Sequence, residues 1–328
     1  MIMELDAKDR RILYELDKNA RQPLSRIAKK VLLNRESVLY RIKKLFDKGI
    51  VRNYLTVINT SMLGFTHYKI YIKFQNINEN QEKRFISDLT NNPHITWVAS
   101  CDGSYSLIFA IKARTITELN DLLKVINNSY WKFIKEQHIT TIINANHYYR
   151  DYLLNKSGTT ERKINWGGNP KNIELDKINI EVLDQLSKNS RVTSVEIASK
   201  LGISADAVVN RIKKLQNEGI IQNYMLWPNV SLLEGFYYKV LVKTHSVNTD
   251  DEKRLKDYCR NNPNIVYALS CLGDWQFEMD LEVKNISEFR EIIRDFSNKF
   301  NYILSDCTIL SIYMEYKFRF FEKNILKT

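Results

Sequence analysis

The residues best equipped for chemistry in this chain are cations gathered on one short stretch. Asn34–Leu45 reads N-R-E-S-V-L-Y-R-I-K-K-L. Val38, Ile42 and Leu45 stand at i, i+4 and i+7, so they form one apolar stripe of a helix. Arg35, Tyr40, Arg41, Lys43 and Lys44 fall off that stripe. A helix held by a thin stripe and otherwise presenting cations and hydrogen-bonding groups suits a DNA major groove. Arg41 is the candidate for guanine or phosphate contact. Arg35, Ser37 and Tyr40 are candidates for base edges or backbone, and Lys43 and Lys44 for phosphates, which position without specifying sequence.

The stretch returns. Ser204–Leu215 reads S-A-D-A-V-V-N-R-I-K-K-L, and Arg41–Leu45 is identical to Arg211–Leu215 at an offset of 170 residues. Arg211 is expected to parallel Arg41, and Lys213 and Lys214 to touch phosphates. Ser204, Asp206 and Asn210 stand at the remaining candidate positions, so the two helices should prefer different half-sites.

Other chemistry finds little support in the residues. There is no nucleophile elbow, phosphate-cradling glycine loop or carboxylate pair. Cys101, Cys259, Cys271 and Cys307 are scattered, with no C-x-x-C and no Cys/His cluster of metal spacing. No catalytic residue, metal or cofactor is expected, and the chain is read as a non-enzyme.

The bulk properties agree with a nucleic-acid partner. The 328 residues are 44% hydrophobic, as in an ordinary globular protein. No apolar run approaches the roughly 18 residues of a membrane span, and Met-Ile-Met-Glu-Leu-Asp lacks the apolar core of a signal peptide. A cytoplasmic protein without a membrane partner is expected. The net charge of +11 favours a polyanion, here double-stranded DNA. The excess is uneven: +7 over residues 1–54 and +3 over 55–150, against +1 over 171–224 and −1 over 225–328.

The elements that must position these helices follow from periodicity. Residues 5–54 read as three helices and a strand, with Asp6 and Asn34 as N-caps, Pro23 opening the second helix and Gly49 closing the third. Residues 67–149 read β-α-β-β-α-β, the ferredoxin-like order. In its first strand Tyr68, Ile70, Ile72 and Phe74 alternate with Lys69, Tyr71 and Lys73. Asp102-Gly103 signals a hairpin turn. Ser157-Gly158-Thr159-Thr160 and Gly167-Gly168-Asn169-Pro170 mark a linker. The unit then repeats, with Thr193-Ser194-Val195-Glu196 as a capping box.

Laid out together, both halves resemble the Lrp/AsnC (feast/famine) family of transcriptional regulators. In the first half this rests on Leu5-Asp6, Ile12-Leu13, Asn19-Ala20-Arg21, Ile27-Ala28, Arg41-Ile42, Gly49-Ile50 and Leu63-Gly64. In the second it rests on Leu175-Asp176, Asn189-Ser190-Arg191, Ile197-Ala198, Leu201-Gly202-Ile203-Ser204, Arg211-Ile212 and Gly219-Ile220-Ile221. The fold expected is α+β: a tandem duplication of a winged helix-turn-helix domain and a ferredoxin-like βαββαβ domain. The expected domains are 1–54 and 175–224 for DNA, 55–150 and 225–328 for effector binding and oligomerisation, and a linker at 151–174.

The resemblance implies that an amino acid or related small-molecule effector binds near a glycine-aromatic turn. Here that places Asp102, Gly103, Ser104 and Tyr105 in one copy and Gly273, Asp274 and Trp275 in the other. The family's usual Asp after the aromatic is replaced by Ser106 and Gln276. The resemblance also implies pairing of the ferredoxin-like sheets, here as a pseudo-dimer within one chain that can assemble further into a homo-oligomer. Two alternatives share the fold: a tetrapyrrole enzyme like the siroheme decarboxylases, and a partner-binding protein with reduced DNA affinity. Against the enzyme, only Arg52 is cationic in Arg52–Val57, and His67, His94, His138, His147 and His245 show no pair recurring between copies.

Overall fold

The structure is a computed structural model, and it describes residues 5–155, 164–233, 235–245 and 247–326. The first copy runs α1 (Ala7–Lys18), α2 (Leu24–Val31), α3 (Arg35–Asp47), β1 (Val51–Ile58), β2 (Thr66–Phe74), α4 (Glu79–Asn91), β3 (Ile95–Asp102), β4 (Leu107–Ala113), α5 (Ile116–Tyr130) and β5 (Ile134–His147). A short strand, β6 (Ile164–Gly167), follows. The second copy runs α6 (Lys177–Lys188), α7 (Ser194–Leu201), α8 (Ala205–Asn217), β7 (Ile221–Pro228), β8 (Phe236–Thr244), α9 (Thr249–Asn261), β9 (Ile265–Leu272), β10 (Phe277–Val283), α10 (Ile286–Phe300) and β11 (Leu304–Phe318).

Local chemistry sets the helix starts. The Asp6 carboxylate accepts from the Lys8 and Asp9 amides, and the Asn34 side chain from the Ser37 amide. Thr193 and Glu196 close a reciprocal capping box on α7. These caps satisfy amides that a first turn leaves without an intrahelical partner.

The strand after each three-helix unit pairs across copies. β1 and β7 are antiparallel, from Val51 opposite Pro228 to Ile58 opposite Ile221. The Asn-x-Arg motifs lock this pair. The Ala20 amide donates to Tyr224 O at 2.8 Å, and the Ser190 amide to Tyr54 O at 2.9 Å. Arg21 donates to Ser190 O and lies 5.8 Å over the Tyr224 ring, while Arg191 donates to Ala20 O and lies 5.4 Å over Tyr54. In this chain the motif is an intramolecular clasp.

The two βαββαβ sheets, ordered β5-β2-β4-β3 and β11-β8-β10-β9, join at both edges. β3 pairs with β11 and β5 with β9, so eight strands close on themselves. Closure pairs the edges of the two sheets with each other, edges that would otherwise invite aggregation. On the outer side, Tyr68, Ile70 and Ile72 pack with Phe85, Leu89, Leu119 and Leu123 of α4 and α5. Val240, Val242 and Met279 do the same with α9 and α10. The opposite strand faces line a buried interior rather than solvent.

The region read as a linker departs from a simple tether. Ser157-Gly158-Thr159-Thr160 lies outside the described residues. Beyond it, Ile164–Gly167 adds a strand to β5, and Lys171 and Ile173 bond to Ser61 O and Met62 O. The glycine-rich composition marks a turn correctly but masks the four-residue strand beside it.

Candidate DNA interface and turn site

α3 is anchored by Val38, Ile42 and Leu45, all buried. Arg35, Lys43 and Lys44 are exposed, Ser37 is half-buried, and Tyr40 is 68% exposed. Leu39, 53% exposed, joins this face; its apolar type gives no sequence signal of a base reader. Leu39 can meet a thymine methyl, an apolar base-edge contact. Exposed Arg26 and Lys29 on α2 extend the positive surface.

Arg41 is tied to the first helix, a role beyond the guanine or phosphate contact expected of it. Its guanidinium donates to Asp6 Oδ2 at 2.7 Å and Asp9 Oδ1 at 2.8 Å. These bonds raise its pKa further. Asp6 is held below its usual value: its slight burial acts the other way, but the Asp9 amide and Arg41 outweigh it. Arg211 makes the matching bonds, to Asp176 Oδ2 at 2.6 Å and Asn179 Oδ1 at 2.9 Å. Identity between the copies at this arginine reflects a tie from the recognition helix to the start of the first helix. A cation on a short helix can serve either purpose, and spacing alone does not separate them.

In the second copy Ser204 is consumed as the N-cap of α8, its hydroxyl accepting from the Ala207 amide at 3.1 Å. Asp206, Asn210, Lys213 and Lys214 are exposed. Ala205 and Asn210 stand where the first copy has Arg35 and Tyr40, and Glu196 and Ser199 where it has Arg26 and Lys29. The second reading face is smaller and nearly neutral.

The turn residues come together in two places. Asp102 at the end of β3 and Gly103 and Ser104 beyond it are exposed, with Tyr105 buried beneath them; Gly273 and Asp274 are exposed, with Trp275 buried. Gly103 has φ 125°, and an added Cβ would lie 2.9 Å from Ile309 O of β11. Each turn therefore rests on the last strand of the opposite copy; Asp274 reaches across to bond His138 of β5. Beneath the turns Tyr71 sits 5.3 Å from Tyr105 and 4.7 Å from Trp275.

These rings face a buried carboxylate that the sequence pattern does not single out. Glu278 Oε1 accepts from Tyr71 Oη at 2.6 Å and from Trp275 Nε1 at 3.0 Å. Its Oε2 accepts from Lys69 Nζ at 2.5 Å and Lys239 Nζ at 3.5 Å. Burial pushes the Glu278 carboxyl up, but Lys69 and Lys239 more than offset it, leaving it at about 2. Asp280 takes Lys239 and the Tyr237 hydroxyl. A signal does exist: Glu278, Asp280 and Glu282 alternate with Phe277, Met279, Leu281 and Val283. Alternation normally marks a solvated face; closure of the ring buries this one. Ser106 and Gln276, where the family pattern has Asp, are spent on neighbouring strands. The Ser106 hydroxyl meets the Phe74 amide, and Gln276 Oε1 accepts from the Thr244 amide.

His67, His94 and His138 each have a separate partner. His67 is buried against Thr60 and lowered to about 3 by burial and Lys112, His94 meets Lys112 O, and His138 meets Asp274. Among the described residues there is no group of three or more metal-ligating side chains, and no helix is long and apolar enough to cross a membrane.

Residues 5–45 match the AsnC-type helix-turn-helix domain, and residues 175–222 match a winged helix-turn-helix DNA-binding family. The HTH-type transcriptional regulator FL11 of Pyrococcus abyssi is 31% identical over 129 residues, which cover 39% of this chain and 83% of that protein. LrpC of Bacillus subtilis is 28% identical over 127 residues, covering 39% of this chain and 84% of LrpC. The crystal structure of the siroheme decarboxylase NirDL aligns over 95% of this chain and 92% of its own, with TM-score 0.59 at 15% identity, and so shares the fold. The chain belongs to the Lrp/AsnC family, with two copies of the family's unit fused end to end.

Proposed function

We propose that this chain is a DNA-binding transcriptional regulator whose first copy supplies most of the DNA affinity. The observation that carries this is the exposed cationic face of α3 and α2: Arg35, Lys43, Lys44, Arg26 and Lys29 around Tyr40. The names and matches of the family's regulators support it, and a cytoplasmic location goes with it. Lys43 and Lys44 bind phosphates, Arg35 and Tyr40 read base edges, and Arg41 positions α3 through Asp6 and Asp9. A small-molecule effector at the glycine-aromatic turns would have to compete with the bonds Glu278 makes to Lys69, Tyr71 and Trp275, so DNA is the one ligand assigned. Titration of genomic DNA fragments at two salt concentrations tests it. Binding should fall steeply with salt, because each neutralised phosphate releases counterion.

The likeness to NirDL favours a second reading, a tetrapyrrole enzyme. A related crystal structure of that protein holds an iron-uroporphyrin III analogue. Absence of any DNA shift at low salt, together with a bound tetrapyrrole absorbance, would select it.

A further inference from the structure

The two copies differ in what covers the outer edge of their last strands. In the first copy β6 lies antiparallel on β5, with Asn144 opposite Gly167, Ala145 opposite Trp166 and His147 opposite Ile164. The Gly168 amide donates to Ile143 O at 2.7 Å. On its far side this segment is held by Asn59, whose Oδ1 accepts from the Gly167 amide at 3.0 Å, and by Ser61 O, which accepts from the Lys171 amide at 2.7 Å. β6 thus occupies a slot with a strand edge on one wall and a short turn on the other.

At the offset of 170 residues the same walls recur in the second copy. Tyr313–Lys317 of β11 replace Ile143–His147, and Asn229 and Ser231 repeat Asn59 and Ser61. Between them lies an open groove of about 520 Å³, also lined by Arg52 and Phe236. No described strand fills it. Phe236 and Tyr313 are 50% and 52% exposed beside it, a large aromatic surface for a folded chain. Asn229 Oδ1 takes the Ser231 hydroxyl at 2.8 Å, where Asn59 Oδ1 takes the Gly167 amide. Arg52 donates to Glu315 O, the counterpart of Ala145 O in the strand ladder. Gln222, the second copy's counterpart of Arg52, instead turns back to Gly219 O. The guanidinium stands where a strand amide would be.

We propose that this groove is a docking site for an extended segment of a partner protein, which adds to β11 antiparallel as β6 adds to β5. Strand addition draws affinity from main-chain hydrogen bonds and selectivity from alternate side chains. The occupant shares the chemistry of β6: uncharged, extended, with an aromatic residue next to glycine. A second copy of the chain does not fit, because the slot is walled on both sides and admits one strand rather than a sheet edge. The chain's own β6 is already committed to β5.

A fluorescein-labelled peptide of residues 164–169 serves as the probe, titrated against the full chain. Saturable binding is expected. Arg52→Gln, which frees Glu315 O, should tighten it several-fold. Tyr313→Pro, which places a residue without an N–H on the edge strand, should weaken it by about tenfold or more. A photo-crosslinker in place of the tryptophan should attach to residues around 311–317. No saturation with either the unsubstituted chain or Arg52→Gln would overturn the proposal, even if Tyr313→Pro failed to fold. So would a crosslink placed elsewhere. Chain dimerisation in sedimentation that Tyr313→Pro abolishes would assign the groove to a second copy and equally overturn it.

Discussion

Two corners of the barrel interior, equivalent by the repeat, are built from opposite chemistry. In one, Arg150 is buried between Asp17 of α1 and Glu282 of β10, donating to Asp17 Oδ1 at 2.5 Å and to Glu282 at 2.8 and 2.9 Å. Tyr152 completes the cluster by donating to Glu282 Oε2. In the other, the matching positions are Ser187, Phe320 and Lys112. There Ser187 donates to Phe321 O and Lys112 to Phe320 O at 2.7 Å. The contrast continues along the strands: β10 turns Glu278, Asp280 and Glu282 inward where β4 turns Ile108, Ala110 and Lys112. A symmetric pair of second copies would bury both acidic rows with too few cations to match them. Fusion removes the demand that one sequence serve both sides, so each half can carry a charge pattern that only the other half satisfies.

The largest effect should come from breaking the charged corner. Arg150→Ala leaves Asp17 and Glu282 buried without their cation and should cost about 3–5 kcal/mol in denaturant unfolding. Lys112→Met at the opposite corner should be nearly neutral or stabilising, because an apolar side chain of similar length removes a desolvated charge. The pH dependence separates the corners further. Burial lowers Lys112 to about 7, so between pH 7 and the ordinary lysine range the unfolded chain binds more protons. Lys112 therefore contributes a rise in stability with pH across that window, and Lys112→Met should remove it.

Next in size is the acidic row itself. Glu278→Gln should destabilise by roughly 3 kcal/mol, since Lys69 loses its ion pair, whereas Ile108→Val at the matching position should cost about 1 kcal/mol. Glu278 is depressed to about 2, so its contribution is present above the unfolded carboxylate pKa and is lost as pH falls towards 2.

A smaller effect is expected where the repeat kept its symmetry. Arg21→Ala and Arg191→Ala each remove hydrogen bonds to carbonyls of the other copy and a ring contact, and should cost about 1–3 kcal/mol by comparable amounts. Clearly unequal values would show that the clasp, too, has diverged.

The helices, their caps and the βαββαβ order are legible in the sequence because periodicity and capping chemistry act within a few residues. Asp6, Asn34, Thr115 and Thr193 all cap as their types suggest. The positioning role of Arg41 is not legible, because its partners Asp6 and Asp9 lie two helices away along the chain. Glu278 is hidden for a different reason: the burial of its strand face depends on closure between copies. β6 is hidden because a four-residue strand has too little pattern to stand out from a glycine-rich linker.

Whether DNA affinity resides mainly in the first copy is tested most directly by the salt dependence of binding. The slope of log affinity against log salt falls by nearly one for each phosphate interaction removed. On one selected site, Lys43→Ala with Lys44→Ala should lower the slope by about two, and Lys213→Ala with Lys214→Ala by about one or less. An equal or larger drop from the second pair would contradict the account.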